Sequence, residues 1–138
     1  MATGGTSRGE SARPLSPHLQ VYTPQINMVM SIIHRMTGAA LYFGTLLLAV
    51  WLIAAATGAD QFNIVNAWFG TLIGRLILIG YTWALLHHML GGIRHLVWDT
   101  GRGFGLGQVD FFCWLTLIAS LAGTVAIWTI SGGLEGVL

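Results

Sequence analysis

Met36-Thr37-Gly38-Ala39-Ala40-Leu41-Tyr42-Phe43-Gly44-Thr45-Leu46-Leu47-Leu48-Ala49-Val50-Trp51-Leu52-Ile53-Ala54-Ala55-Ala56-Thr57 carries no charged side chain. A helix needs ~20 apolar residues to cross the hydrocarbon of a bilayer, so this run is long enough to span one. Two further runs behave alike. Leu76 to Leu86 is free of charge inside a segment from about Ala67 to Trp98, and the residues from Phe111 onward are uncharged in a segment from about Asp110 to Ile130. The expected fold is all-α, an integral membrane protein with three transmembrane helices at about 28–57, 67–98 and 110–130, together a domain over 28–133.

Composition supports that class. Of the 138 residues, 54% are hydrophobic and only 8% charged, against roughly 25% charged in a soluble domain. So few charges cannot cover the surface of a soluble fold of this size. All six basic residues are arginines, and they form no cluster, which argues against a nucleic-acid partner. The single cysteine, Cys113, excludes an intrachain disulfide and a cysteine-based metal site.

Outward from the first span, residues 1–27 read as a polar tail and an interfacial lead-in. Met1 to Pro14 has no apolar core of a secretory signal. Pro14, Pro17 and Pro24 forbid a continuous helix, and Leu19, Val21 and Tyr22 suit the membrane interface. His18 is expected to bond nearby backbone or a lipid headgroup. Gly58 to Asn66 reads as a short polar connection, Thr100 to Gly107 as a glycine-rich loop, and 134–138 as a short tail.

Arginine placement sets an expected orientation. Arg8, Arg13 and Arg35 precede the first charge-free run, Arg94 and Arg102 follow the second, and the connection between them has none. The N-terminus is therefore expected inside and the C-terminus outside. Two polar groups of residues, Ser31/His34/Arg35 and Arg94/His95/Asp99, then meet at the inner side.

Polar groups within a span are costly and usually have partners or a function. His88 precedes Asp99 by eleven residues, ~16 Å along a helix, so it lies well inside the membrane. Gly91 and Gly92 clear space beside it, and His95 is two turns on, on nearly the same face. An imidazole at that depth beside glycines suits an axial ligand of haem; the alternative is a bond to a backbone carbonyl of the bundle. No second deep histidine stands on another helix, so a bis-histidine haem would draw its other ligand from a second polypeptide. His87 points ~100° away and reads as a packing or interhelical hydrogen-bonding residue. Ser31 and Arg35, four apart, share a face and offer a donor and a positive charge to a quinone carbonyl; headgroup binding is the alternative. Arg94 and Asp99 are candidates to pair with each other or with a partner. Internal repeats and the broken helix pairs of transporters are missing.

Two stretches carry a family resemblance. Arg13-Pro14-Leu15-Ser16-Pro17-His18-Leu19, followed by Ser31-Ile32-Ile33-His34-Arg35-Met36-Thr37, resembles the first signature of the cytochrome b subunit of succinate dehydrogenase. His88-x-x-x-Gly92-Ile93-Arg94-His95-Leu96-x-Trp98-Asp99-x-Gly101 resembles the second. The wording Ser16 to Tyr22 is closer to the mitochondrial and related bacterial branch than to the enteric one. The resemblance implies a complex II membrane anchor that forms a helical bundle with a second small anchor subunit and docks an iron–sulfur subunit carrying a flavoprotein. It implies haem b with His88 as one axial ligand and the partner anchor supplying the other. It implies a ubiquinone site at Ser31, Ile32 and Arg35, and a haem propionate region at His34, Arg35 and His95. No residue of this chain would run bond chemistry; succinate is oxidised at the flavin of another subunit. The expected location is a bacterial cytoplasmic membrane rather than the mitochondrial inner membrane. A fumarate reductase anchor and a haem-free structural tether are the alternatives.

Overall fold

A computed structural model describes residues 22–133. His18, Arg8, Arg13 and the terminal segments 1–21 and 134–138 lie outside the described residues. The chain forms α1 (Ile26–Thr57), α2 (Ala59–Phe69), α3 (Leu72–Asp99) and α4 (Leu106–Ile130), with no strand among the described residues. α1, α3 and α4 are each long and apolar enough to cross a membrane. At 1.5 Å per residue the 32 residues of α1 reach ~48 Å and the 25 of α4 ~38 Å. Each therefore extends past a hydrocarbon core of about 30 Å.

Burial is inverted relative to a water-soluble protein. Apolar Met30, Ala54, Ala84 and Cys113 are buried, but so are polar Thr37, His87, Arg94, Thr116, Ser120 and Thr124. The large apolar side chains face outward: Tyr42, Phe43, Leu46 and Ile53 on α1, Leu85 and Ile93 on α3, Ile118 and Val125 on α4. Lipid is as apolar as leucine, so helices in a bilayer associate through small residues and hydrogen bonds rather than by hiding leucines.

α3 and α4 run antiparallel and are joined by three side-chain contacts at successive depths. Trp128 Nε1 donates to Thr82 Oγ1 at 3.3 Å, His87 Nδ1 meets Ser120 Oγ at 3.2 Å, and Arg94 Nη1 donates to Cys113 Sγ at 3.3 Å. The Ser120 hydroxyl gives its own proton to the Leu117 carbonyl at 2.9 Å, so it accepts from His87. His87 is thus the interhelical hydrogen-bonding residue its angular position suggested.

The polar connection differs from expectation. Ala59 to Phe69 is helical, and the second span begins at Leu72 rather than near Ala67. Gly58, at φ +149°, turns the chain sharply at the end of α1. Phe62, Val65 and Phe69, at helical spacing, are the half-buried residues of α2, which packs on α1 and α3. Trp51 Nε1 donates to Asn66 Oδ1 at 3.1 Å, tying α2 to the end of α1. Thr71 caps α3 by accepting from Gly74 N at 3.1 Å. At the other side, α4 starts at Leu106, four residues before the expected Asp110, and the Gln108 side chain reaches back to accept from the Gly105 backbone N–H at 3.3 Å.

Candidate functional site

The antiparallel crossing of α1 and α3 brings the first turns of α1 beside the last turns of α3. Three histidines meet there. The His34 and His88 rings are stacked, with centroids 4.0 Å apart and planes 4° from parallel. The His95 ring lies 5.3 Å from His34 at 59°, and its other side meets Trp98 edge-on at 5.2 Å.

Glycine makes the approach possible. A Cβ on Gly38 would lie 2.9 Å from His88 Cε1, and one on Gly91 would lie 2.5 Å from His34 Nδ1. Gly91 therefore makes room for His34 rather than for a ligand, contrary to the sequence expectation for that glycine. Gly92 faces open space: a Cβ there meets nothing within 4 Å.

The His88 ring has one nitrogen engaged. Nδ1 lies 3.1 Å from the His34 carbonyl oxygen. A carbonyl only accepts, so Nδ1 carries the proton and Nε2 keeps its lone pair. The two readings of His88 from sequence, carbonyl bonding and metal ligation, are therefore compatible: the first fixes the tautomer that the second requires. Thr37 Oγ1 donates to the same carbonyl at 2.9 Å and sits 3.5 Å from His88 Nδ1. Sequence spacing did not single out Thr37, whose partner is a backbone oxygen approached from another helix. His34 Nδ1 is buried and has no hydrogen-bond partner among the described residues.

Ser31, Ile32 and Arg35 line one open groove of about 390 Å³ with Tyr22, Asn27 and Met28. Ser31 is half-buried, while Ile32 and Arg35 are exposed at its rim. The Tyr22 hydroxyl donates to Met28 Sδ at 2.8 Å beside them. The groove and the histidine cluster share the start of α1, with Ser31, Ile32 and Arg35 flanking His34 in sequence.

Arg94 is not at the rim. It is 4% exposed, its guanidinium sits 5.1 Å from the Trp98 ring centroid, and its Nε is buried without an acceptor among the described residues. No Arg94–Asp99 bridge forms among the described residues. Five residues apart on a helix, the two point ~140° away from each other. Arg94 instead shares a face with His87, seven residues earlier, and both turn to α4.

These residues fit a haem iron ligand better than a compact metal-ion site. Among the described residues, no group of three His, Cys, Asp or Glu side chains is arranged to hold a metal ion. A single imidazole with a fixed tautomer, open space one turn along at Gly92, and a buried His34 nitrogen without a partner among the described residues are features with which His88 would hold a haem iron.

Comparison with known proteins agrees with this layout. Residues 10–130 match the family described as the succinate dehydrogenase/fumarate reductase transmembrane subunit. The chain is 40% identical over 116 residues to the succinate dehydrogenase cytochrome b556 subunit of Rickettsia bellii (strain RML369-C), covering 84% of this chain and 90% of that one. It is 44% identical over 96 residues to the protein of the same name from Paracoccus denitrificans, covering 70% and 74%. It is 33% identical over 119 residues to the mitochondrial cytochrome b560 subunit of Sus scrofa, covering 85% and 70%. On the extent of these matches, and with three apolar helices of spanning length, the chain belongs to the succinate dehydrogenase/fumarate reductase transmembrane subunit family.

Proposed function

We propose that this chain is the haem b-binding membrane anchor of a succinate:ubiquinone oxidoreductase, serving the tricarboxylic acid cycle and the respiratory chain. The observation that carries the reading is the bond from His88 Nδ1 to the His34 carbonyl at 3.1 Å. Metal-ligating histidines typically donate their second ring N–H to a carbonyl or carboxylate, which sets the tautomer and ring orientation. His88 has that arrangement before any iron is considered.

In this reading His88 Nε2 would hold the haem iron, and a second small anchor subunit would supply the other protein ligand. His34, Arg35 and His95 border the propionate edge. When bound, haem supplies a one-electron store next to the quinone groove. Ser31 donates to a quinone carbonyl oxygen, Arg35 stabilises negative charge gained by the quinone oxygens, and Ile32 packs on the ring. Protons enter from the inner aqueous side. An iron–sulfur subunit docks there and carries a flavoprotein, where succinate is oxidised. The setting is a bacterial cytoplasmic membrane, with the N-terminus cytoplasmic and the C-terminus periplasmic, as the arginine distribution argues.

The test is a reduced-minus-oxidised spectrum of the purified complex. His88→Ala is expected to lose the b-type band, and full haem occupancy in that variant refutes the ligand assignment. Ser31→Ala and Arg35→Ala are expected to slow quinone reduction about tenfold, equivalent to ~1.4 kcal/mol for a lost hydrogen bond to a developing charge. Succinate oxidation by a soluble artificial acceptor stays intact. Equal loss in both assays removes the quinone role.

A further inference from the structure

Thr37 is 3% exposed, polar, and part of the first signature stretch, yet neither the haem nor the quinone reading above gives it a task. Its hydroxyl proton goes to the His34 carbonyl at 2.9 Å. That carbonyl also receives the N–H of His88 at 3.1 Å. One oxygen therefore takes two side-chain donors from two helices.

We propose that Thr37 is a positioning residue that sets the donor strength of the His88 imidazole by sharing the carbonyl on which His88 rests. This rests on the reading of His88 as a haem ligand. A carbonyl oxygen has two lone pairs, and each donor it accepts weakens its pull on the next. With Thr37 present, the His88 N–H bond is held at moderate strength. The direct approach of Thr37 Oγ1 to His88 Nδ1, at 3.5 Å, is at the edge of hydrogen-bond range and is minor beside the carbonyl bond. The sign follows. Removing the hydroxyl frees the carbonyl for His88, the N–H bond tightens, and the imidazole becomes more anionic. A more basic axial ligand favours ferric over ferrous iron.

Thr37→Val keeps the branched shape and deletes the hydroxyl, whereas Thr37→Ser keeps the hydroxyl and deletes the methyl. Both are made in the intact complex, and the haem is titrated potentiometrically at its b-type band. At the wild-type midpoint potential, Thr37→Val is expected to raise the ferric-to-ferrous ratio about fivefold, the effect of ~1 kcal/mol from one hydrogen bond. Thr37→Ser stays within twofold of wild type. Haem content stays at the wild-type level in both variants, and loss of haem in the valine variant overturns the proposal, because a strengthened His88 donor retains its iron. An unchanged or more ferrous haem in Thr37→Val overturns the proposal, as does a serine variant shifted as far as the valine one. A wild-type complex with no b-type band fails at the earlier step, the haem reading, and is recognised before any variant is compared.

Discussion

Gly91 and Gly92 are neighbours on α3 with opposite surroundings, and that contrast gives a sharp prediction. A Cβ at Gly91 would stand 2.5 Å from His34 Nδ1 and 3.0 Å from Cε1. Ordinary contact begins near 3.4 Å, so Gly91→Ala requires the His34 ring to move by about 1 Å. His34 has little slack, because its other face is stacked on His88 at 4.0 Å. Overpacking of this kind costs about 1–3 kcal/mol. Replacing glycine by alanine inside a helix returns about 1 kcal/mol. The net change in stability is therefore small, about 0–2 kcal/mol, and a melting curve is a poor readout. The position of the imidazoles is a good one. Gly91→Ala is expected to displace the low-field ferric-haem resonance in the electron paramagnetic resonance spectrum and to accelerate haem loss on heating. At Gly92 a Cβ meets nothing within this chain, so Gly92→Ala leaves the His34–His88 stack untouched. If haem occupies the open space beside Gly92, that variant lowers haem content without destabilising the chain itself. A Gly91→Ala complex with wild-type spectrum and haem retention refutes the argument that the stacked histidines determine the haem environment.

Two further outcomes follow from the geometry. Ser120→Ala leaves the buried His87 without its partner at 3.2 Å; the expected loss is about 0.6 kcal/mol and at most ~1.7 kcal/mol, the range for interhelical hydrogen bonds in membranes, measured as a lowered midpoint of steric-trap or denaturant unfolding in detergent. Gly58→Ala forces an L side chain to φ +149° at a cost of about 1–3 kcal/mol, and is expected to detach α2 from the end of α1, read as proteolytic sensitivity between Ala59 and Phe69 where wild type is protected.

The spans were legible because charge is so expensive in hydrocarbon that an uninterrupted apolar run admits few other readings. α2 was not. Its apolar residues Phe62, Val65 and Phe69 are diluted among Asp60, Gln61, Asn63 and Asn66, and its stability comes from packing on α1 and α3 rather than from its own composition. The meeting of His34 with His95 could be anticipated, because two crossings return the chain to the same side; the stacking of His34 on His88 could not, because spacing placed His34 at the inner edge and His88 deeper, whereas their rings lie 4.0 Å apart. For Arg94, expected to pair with Asp99 or with a partner, the Asp99 alternative does not form among the described residues; its seven-residue distance from His87 was the signal that it shares that residue's face and turns toward α4. The role of Thr37 was out of reach, since a carbonyl that receives donors from two helices leaves no trace in residue spacing.

The ladder Thr82–Trp128, His87–Ser120 and Arg94–Cys113 has a consequence for biogenesis. Its rungs lie within one hairpin and use no residue that would touch haem. The second and third crossings can thus lock together as soon as both have left the insertion machinery. The first crossing joins this hairpin by other means: His34, Thr37 and Gly38 meet His88, Gly44 packs against Tyr81, and Trp51 bonds Asn66 of α2. The hairpin is accordingly the part of the bundle that is complete without the leading helix.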